Sequence, residues 1–278
     1  MFGGDIFSAY RGFGWLVYLL PHMEHLPVFK SINFDEPVVG QPNPIDVNPN
    51  ETFLTSIAIP ILLCPSDIRS PNDSGYEGAP NLGSSSYVGN FGVHGYVPGH
   101  VPQASWSIVR YFGGVILTTS PGSLRNHRGV GPLFSNSHVR FRDISDGTSA
   151  TVLAGERRGG LNRSIPSYSI GTASQCFWAG IGNYPTLSSA YYRPNKCDLA
   201  TPQSDLDGCV GNFSSWHPGG LNVCLMDGSV RFISENIESA SEADLDALPS
   251  MTGPERRDVY GIWQALCDIN DGMVIGEF

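Results

Sequence analysis

The chain has 278 residues, of which 41% are hydrophobic, so it can bury a large core as one domain or as two small ones. Only 15% of the residues are charged, and 33 glycines and 21 prolines favour short strands with long irregular connections over a helical bundle. The net charge of −10 repels a phosphate backbone and argues against nucleic-acid binding. Two short basic stretches, residues 125–128 and 156–158, are predicted to be solvated loop charges.

The first half of the chain is predicted to begin with a helix and to continue as short strands between loops. Apolar residues recur at spacings of three and four over residues 14–30, although Pro21 and Pro27 interrupt this pattern. Asn50 is a candidate N-cap for a short helix that buries Phe53, Leu54 and Ile57. Strands are predicted at residues 61–63, 86–88, 111–118, 139–141 and 150–154.

The second half is predicted to carry a loop-rich insertion, a hairpin and two short elements. The insertion covers residues 159–212, with short strands near Phe177-Trp178, and the hairpin covers residues 213–238. An acidic helix follows over residues 239–248, where Ser239 and Glu242 resemble a capping box. A short element is predicted at residues 262–266. No repeat of fixed period occurs, so residues 1–278 are predicted to form a single domain.

The hairpin is the strongest local signal. A His217–Gly220 loop precedes alternating apolar residues, and Asp227-Gly228 suits the positive φ angles of a tight primed turn. A two-residue turn pairs Met226 with Ser229, Leu225 with Val230, and Val223 with Phe232. The core-facing side of the hairpin would then carry Val223, Leu225, Val230 and Phe232.

These and other motifs resemble the prepilin-type H-X9-DG family, also described as DUF1559. Nine residues separate His217 from Asp227-Gly228, as in the family's C-terminal motif. Four further elements precede this motif in the chain and occur in the family's order: LCPSD at 63–67, SYVGN at 86–90, FRDISDGTS at 141–149 and GE at 155–156. The opening at 15–34 and the ending at 262–266 and 276–278 are also similar. The resemblance therefore covers nearly the whole chain.

The resemblance implies an α+β, pilin-like fold, in which an antiparallel β-rich head with long loops and a few short helices packs on a long N-terminal helix. It implies a non-enzymatic protein of the cell envelope, located outside the inner membrane, with a structural or assembly role. Its partners would be other pseudopilin-type subunits or envelope proteins, and not nucleic acid. The sequence begins without the family's leader and apolar helix, so this long helix is expected to be truncated, and membrane contact is expected only through that helix.

The resemblance gives structural roles to the motif residues, namely Cys64, Pro65, Asp67, His217, Gly219, Gly220, Asn222, Asp227 and Gly228. An extended strand between His217 and Asp227 holds them roughly 20 Å or more apart, so they are not expected to pair. His217 is expected to fix the loop that enters the hairpin, and Asp227 to supply the turn. No nucleophile motif such as Gly-x-Ser-x-Gly occurs.

Two other functions stay open. A binding module would hold a glycan or a partner protein in the loops 65–131 and 159–212, through exposed aromatic residues among Trp106, Tyr111, Trp178, Tyr191 and Tyr192. A metal-dependent hydrolase would use His217 with at least two further ligands.

No cofactor is predicted, but Ca²⁺ has two candidate sites because carboxylate oxygens are its preferred ligands. The first is Asp143, Asp146 and Glu156, by analogy with pseudopilins that bind calcium in loops. The second is the loop with Asp198, Asp205 and Asp207. The Asp-x-Asp-x-Asp-Gly ladder of an EF-hand does not occur.

Six cysteines without a Cys-x-x-Cys pair exclude the usual redox and zinc-ribbon patterns. Cys197 and Cys209 flank a polar acidic loop and are the best candidates for a local disulfide. Cys224 alternates with apolar residues in a predicted strand, where a buried free thiol is expected at least as much as a disulfide. The resemblance implies that Cys64 could pair with a cysteine in the family's N-terminal segment.

Overall fold

A computed structural model describes residues 13–36, 41–42, 54–69, 71–73, 82–93, 130–134, 137–159, 176–179, 186–196, 211–248, 254–276 and 278. The chain divides into two compact units. The first unit comprises Met1–Tyr87 and Gly159–Thr186, and the second comprises Val88–Arg158 and Leu187–Phe278. Whether the chain folds as a single domain stays a prediction.

The described part of the first unit begins with two consecutive helices, as the apolar spacing predicts. A 3₁₀ helix over Trp15–Met23 ends at Glu24, which has a left-handed backbone, and α1 covers Leu26–Ser31. Pro21 lies inside the 3₁₀ helix and has no backbone N–H to donate. This explains why the region is not one continuous α-helix.

The core of the first unit joins these helices to distant parts of the sequence. It contains Leu16, Val17, Leu20, Val28, Ile32, Leu54, Ile59, Leu62, Leu82, Phe177, Trp178 and Ala179. The Trp178 indole N–H donates to the carbonyl of Ile57 at 2.8 Å. Two short antiparallel strands, β1 (Asn72–Asp73) and β2 (Leu82–Gly83), lie in the same unit.

The strand predicted at residues 61–63 is wrong. The segment forms a 3₁₀ helix over Pro60–Leu62, for which proline is a favourable first residue, and Ile61 is 61% exposed. A second 3₁₀ turn covers Leu54–Ser56, where a short helix was expected. Its candidate cap Asn50 and the strand at 111–118 lie outside the described residues. Phe177 forms an isolated bridge with Ser84.

The second unit is built on a five-stranded sheet in the order β5-β3-β4-β6-β7. The strands are β3 (Tyr87–Gly92), β4 (Val152–Glu156), β5 (Leu187–Ser189), β6 (Gly220–Leu225) and β7 (Val230–Ser234). β6 is antiparallel to both β4 and β7, but β3 and β5 are parallel. The sheet is therefore mixed, which corrects the expectation of an antiparallel head while keeping the α+β class.

The remaining helices in the described part of the second unit are short. The 3₁₀ turns cover Phe141–Asp143, Thr148–Ala150 and Pro254–Asp258, and the α-helices are α2 (Glu242–Asp246) and α3 (Ile262–Cys267). None of the helices in the described part of the chain is long and apolar enough to cross a membrane.

Two of these elements differ from the predictions. Phe141 is 69% exposed and begins a 3₁₀ turn, so the strand predicted at residues 139–141 is wrong. The acidic helix begins later than predicted because its N-cap is Ser241, whose hydroxyl accepts the backbone N–H of Asp244.

The hairpin forms, but its register differs by one residue from the prediction. The Gly228 N–H donates to Leu225 O at 3.0 Å and the Leu225 N–H to Ser229 O at 2.9 Å, so the loop has three residues. Cys224 therefore pairs with Val230, and Asn222 with Phe232. This shift moves Val230 and Phe232 to the outer face, where they are 68% and 52% exposed.

The turn depends on the left-handed conformation of Gly228, whose φ is +85°. We expect Gly228→Ala to lower the free energy of unfolding by about 1 kcal/mol, because an L side chain disfavours this conformation. Gly276→Ala is the control, since its Cβ also enters open space but its backbone has no positive φ. Urea denaturation measures both variants, and equal losses would contradict the role of the turn.

Candidate functional site

The motif residues Glu156, His217 and Asn222 meet where β4 ends beside β6. Gly155 pairs with Val223, which places Glu156 next to Asn222. Glu156 is 4% exposed. One of its carboxylate oxygens accepts the Asn222 backbone N–H at 2.7 Å, and the other lies 3.1 Å from His217 Nε2. Because an ionised carboxylate only accepts hydrogen bonds, His217 carries a proton on Nε2 in this arrangement.

The loop before β6 is fixed through its backbone as well. The His217 N–H donates to the Ser215 hydroxyl at 3.0 Å, and that hydroxyl donates to Gly220 O at 2.6 Å. Gly219 has a φ of +81°, and a Cβ on Gly220 would lie 2.0 Å from Ile233 O. The two glycines therefore allow the chain to turn sharply and then enter β6 in close contact with β7.

Asp227 serves the other end of the hairpin. Its carboxylate accepts the backbone N–H of Ser229 at 2.8 Å and the Ser229 hydroxyl at 2.7 Å. These bonds from Ser229 lower the pKa of the exposed Asp227 carboxyl. The structure thus places His217 with Glu156 at one end of β6 and Asp227 in the turn at the other end.

The Leu63–Asp67 motif of the first unit has its own hydrogen-bonded network. The Asp67 N–H donates to Cys64 O at 2.9 Å and closes a turn that contains Pro65. Its carboxylate accepts from Arg69 Nε at 2.7 Å and from the Ser86 hydroxyl at 2.9 Å. The Ser86 hydroxyl also accepts the Cys64 N–H at 3.0 Å. Asp67 and Ser86 therefore connect two motifs that are separate in sequence.

Asn90 is a structural residue that the sequence does not single out. It is fully buried, and its amide donates to Val152 O at 2.8 Å and to Cys267 O at 2.9 Å. Its side-chain oxygen accepts the Gly92 N–H at 2.8 Å. One side chain thus connects β3, β4 and the end of α3. Its place inside the SYVGN motif was the available signal.

The prediction that residues 156–158 are solvated charges is wrong. Arg157 is 0% exposed, and its guanidinium donates to Ser188 Oγ at 2.6 Å and to Asn212 O at 3.3 Å. Arg158 is 8% exposed and lies over the Trp216 ring, 5.3 Å from its centre. Burial lowers the pKa of Arg158, and the nearby charge of Glu235 opposes that effect. The basic stretch 125–128 lies outside the described residues.

The structure does not bring the first set of calcium candidates together. The Asp143 carboxylate accepts the Arg140 N–H at 2.9 Å, and Glu156 is engaged by His217 and Asn222. Asp146 instead accepts the backbone N–H groups of Asp271 and Gly272. The second candidate set, Asp198, Asp205 and Asp207, lies outside the described residues.

Some of the cysteine and aromatic predictions can be compared with the structure, and others concern residues outside its described part. Cys197 and Cys209 lie outside the described part of the chain, so their disulfide stays a prediction. Cys224 is a free thiol in β6, as expected, but it is only partly buried. Burial is also the main cause that raises its pKa. Of the five aromatic residues among which exposed ones were expected, Trp178, Tyr191 and Tyr192 are buried, and Trp106 and Tyr111 lie outside the described residues.

The mixed sheet with its short helices makes this an α+β protein. Its sequence motifs supply hydrogen bonds that connect the strands to one another and to the neighbouring loops. The family model "Protein of unknown function (DUF1559)" matches residues 1–240, and the chain belongs to that family. No curated protein and no solved structure matches the chain significantly.

Proposed function

We propose that this chain is the head of a non-enzymatic, pilin-like protein of the cell envelope, with a structural or assembly role. Its proposed location is outside the inner membrane, and its proposed partners are other pseudopilin-type subunits or envelope proteins. The observation that carries the proposal is the bonding of Glu156, whose buried carboxylate joins the loop residue His217 to the backbone of Asn222 in β6.

The same use of polar groups recurs at the other motifs. Asp67 and Asn90 each bond to backbone groups that lie far away in the sequence. Catalysis requires a polar group directed at a reacting atom, whereas these groups are directed at the protein's own backbone. This pattern favours motifs that preserve a shape over motifs that perform chemistry.

A pair of substitutions at His217 separates a structural role from a catalytic one. We expect the His217→Gln variant to keep the wild-type structural or assembly role in cells, because its amide retains an N–H donor for Glu156. We expect His217→Ala to lower the thermal unfolding temperature, because that donor is lost. A His217→Gln variant that stays folded but loses function in cells would support the hydrolase alternative and contradict our proposal.

The envelope role is tested with the full gene product in its own cells. A photo-crosslinking residue at Val230 probes the exposed outer face of β7, and one at Ile68, which is 69% exposed, is the matched control in the first unit. We expect the product to be accessible to protease added outside the inner membrane, and the Val230 crosslinks to contain pilin-like or envelope proteins. A protease-protected product, or crosslinks only to cytoplasmic proteins, would contradict the proposal.

A further inference from the structure

Three carboxylates of the second unit lie together away from the Glu156 site. Asp146, Asp268 and Asp271 each offer an oxygen, and these oxygens all lie within 4.8 Å of one another. Asp268 and Asp271 are buried, with exposed fractions of 0% and 2%. Asp146 follows the 3₁₀ turn Phe141–Asp143, and the other two follow α3, so two distant segments build the cluster.

The backbone fixes how these carboxylates face one another. The two oxygens of Asp146 accept the N–H groups of Asp271 at 2.7 Å and Gly272 at 2.9 Å. One oxygen of Asp268 accepts the Asn270 N–H at 3.0 Å, and one of Asp271 accepts the Met273 N–H at 2.6 Å. The second oxygen of Asp268 and that of Asp271 are buried and receive no hydrogen bond from any described residue.

The Tyr260 hydroxyl provides an observation independent of the carboxylates. Its side chain is 5% exposed, and within the described part of the chain its hydroxyl has no hydrogen-bond partner. The hydroxyl lies beside Asp268, and burial together with the charge of that carboxylate raises the pKa of Tyr260 well above its ordinary value. The Tyr260 hydroxyl and the second oxygens of Asp268 and Asp271 are buried and form no hydrogen bond of accepted geometry with a described residue, which is an arrangement that a bound cation would satisfy.

Two arginines border the cluster but leave those oxygens without a donor. The Nε of Arg256 lies 3.3 Å from Asp268 without hydrogen-bond geometry, and its guanidinium donates to Asn270 Oδ1 at 2.7 Å. Arg257 Nε donates to the backbone carbonyl of Asp271. Arg256 therefore forms an ion pair with Asp268, whereas the second oxygen of Asp271 takes part in neither a hydrogen bond nor an ion pair with a described residue.

We infer that Asp146, Asp268 and Asp271 form a binding site for a hard divalent cation of the Ca²⁺ type. Carboxylate oxygens without nitrogen or sulfur ligands select such ions over zinc or copper. Oxygens on opposite sides of a bound Ca²⁺ are about 4.6–5.2 Å apart, given its bond lengths of about 2.3–2.6 Å, so the cluster has the right size. The inference does not depend on the proposed function.

The test is a calorimetric titration of the full chain, stripped with a chelator, using CaCl₂ alone as the probe. We expect saturable binding of one ion per chain, with a Kd on the order of 10⁻³ M or tighter. We expect Asp271→Asn to raise the Kd at least tenfold, on the order of the effect of losing one charged ligand. Asp258→Asn is the matched control, because Asp258 is exposed in the adjacent 3₁₀ turn, and it should bind like the wild type.

Two outcomes would overturn the inference. One is the absence of saturable binding to the wild-type chain at millimolar CaCl₂ and, in parallel titrations, at millimolar MgCl₂ and MnCl₂. The other is an equal affinity in the Asp271→Asn and Asp258→Asn variants. Since the wild-type titration needs no variant, the inference can be tested even if Asp271→Asn does not fold.

Discussion

Replacing Asn90 with alanine is expected to lower the free energy of unfolding by about 2–4 kcal/mol. The substitution removes three hydrogen bonds at a position that is fully buried. It also leaves the carbonyls of Val152 and Cys267 without the donor that the amide provides. A buried acceptor that loses its donor costs more than the net value of the bond, because water cannot replace the donor.

The measurement is urea denaturation followed by circular dichroism, with Asn236→Ala as the control. Asn236 is exposed beyond the end of β7, so its truncation should change the free energy of unfolding by less than about 0.5 kcal/mol. If both variants lost the same stability, Asn90 would not connect the strands as the structure indicates.

Glu156→Ala is expected to cost about 2–4 kcal/mol of unfolding free energy, because the buried carboxylate bonds both the Asn222 backbone and the His217 ring. Glu156→Gln should lose less, since its amide keeps one acceptor oxygen. Truncating the exposed Glu238 to alanine is the control and should have little effect. Thermal or urea unfolding at neutral pH compares the three variants.

A double-mutant cycle with His217→Ala isolates the contribution of the histidine. We expect a coupling energy of about 0.5–3 kcal/mol between positions 156 and 217, the range for residues in one hydrogen-bonded network. Additive losses would mean that Glu156 stabilises the chain through Asn222 alone.

Local sequence patterns predicted the helices near the N-terminus, the hairpin and the last short helix. They missed the hairpin register because Asp227-Gly228 suits both a two-residue primed turn and a three-residue loop that ends in a left-handed glycine. The three-residue loop that forms has a contact outside the hairpin, where the Asp227 N–H donates to Thr148 O. No pattern within the hairpin contains that contact.

The candidate site was predictable in its members but not in its arrangement. His217 was expected to fix the loop, but its partner Glu156 had been placed in a calcium site. Arg157 follows β4 immediately, and a charged residue at a strand end is normally solvated. Its burial depends on carbonyl and hydroxyl acceptors more than 30 residues away in sequence, which residue type alone does not reveal.

The first unit is discontinuous in sequence, and this limits how the protein can be dissected and synthesised. Trp178 belongs to the core of that unit, whereas most of the unit's residues precede Tyr87. A fragment that stops after Tyr87 would lack this indole and leave the apolar side chains around it facing water. During translation, the N-terminal residues must likewise wait for Phe177, Trp178 and Ala179 before their core can close, so residues 88–158 of the second unit are synthesised before the first unit can fold completely.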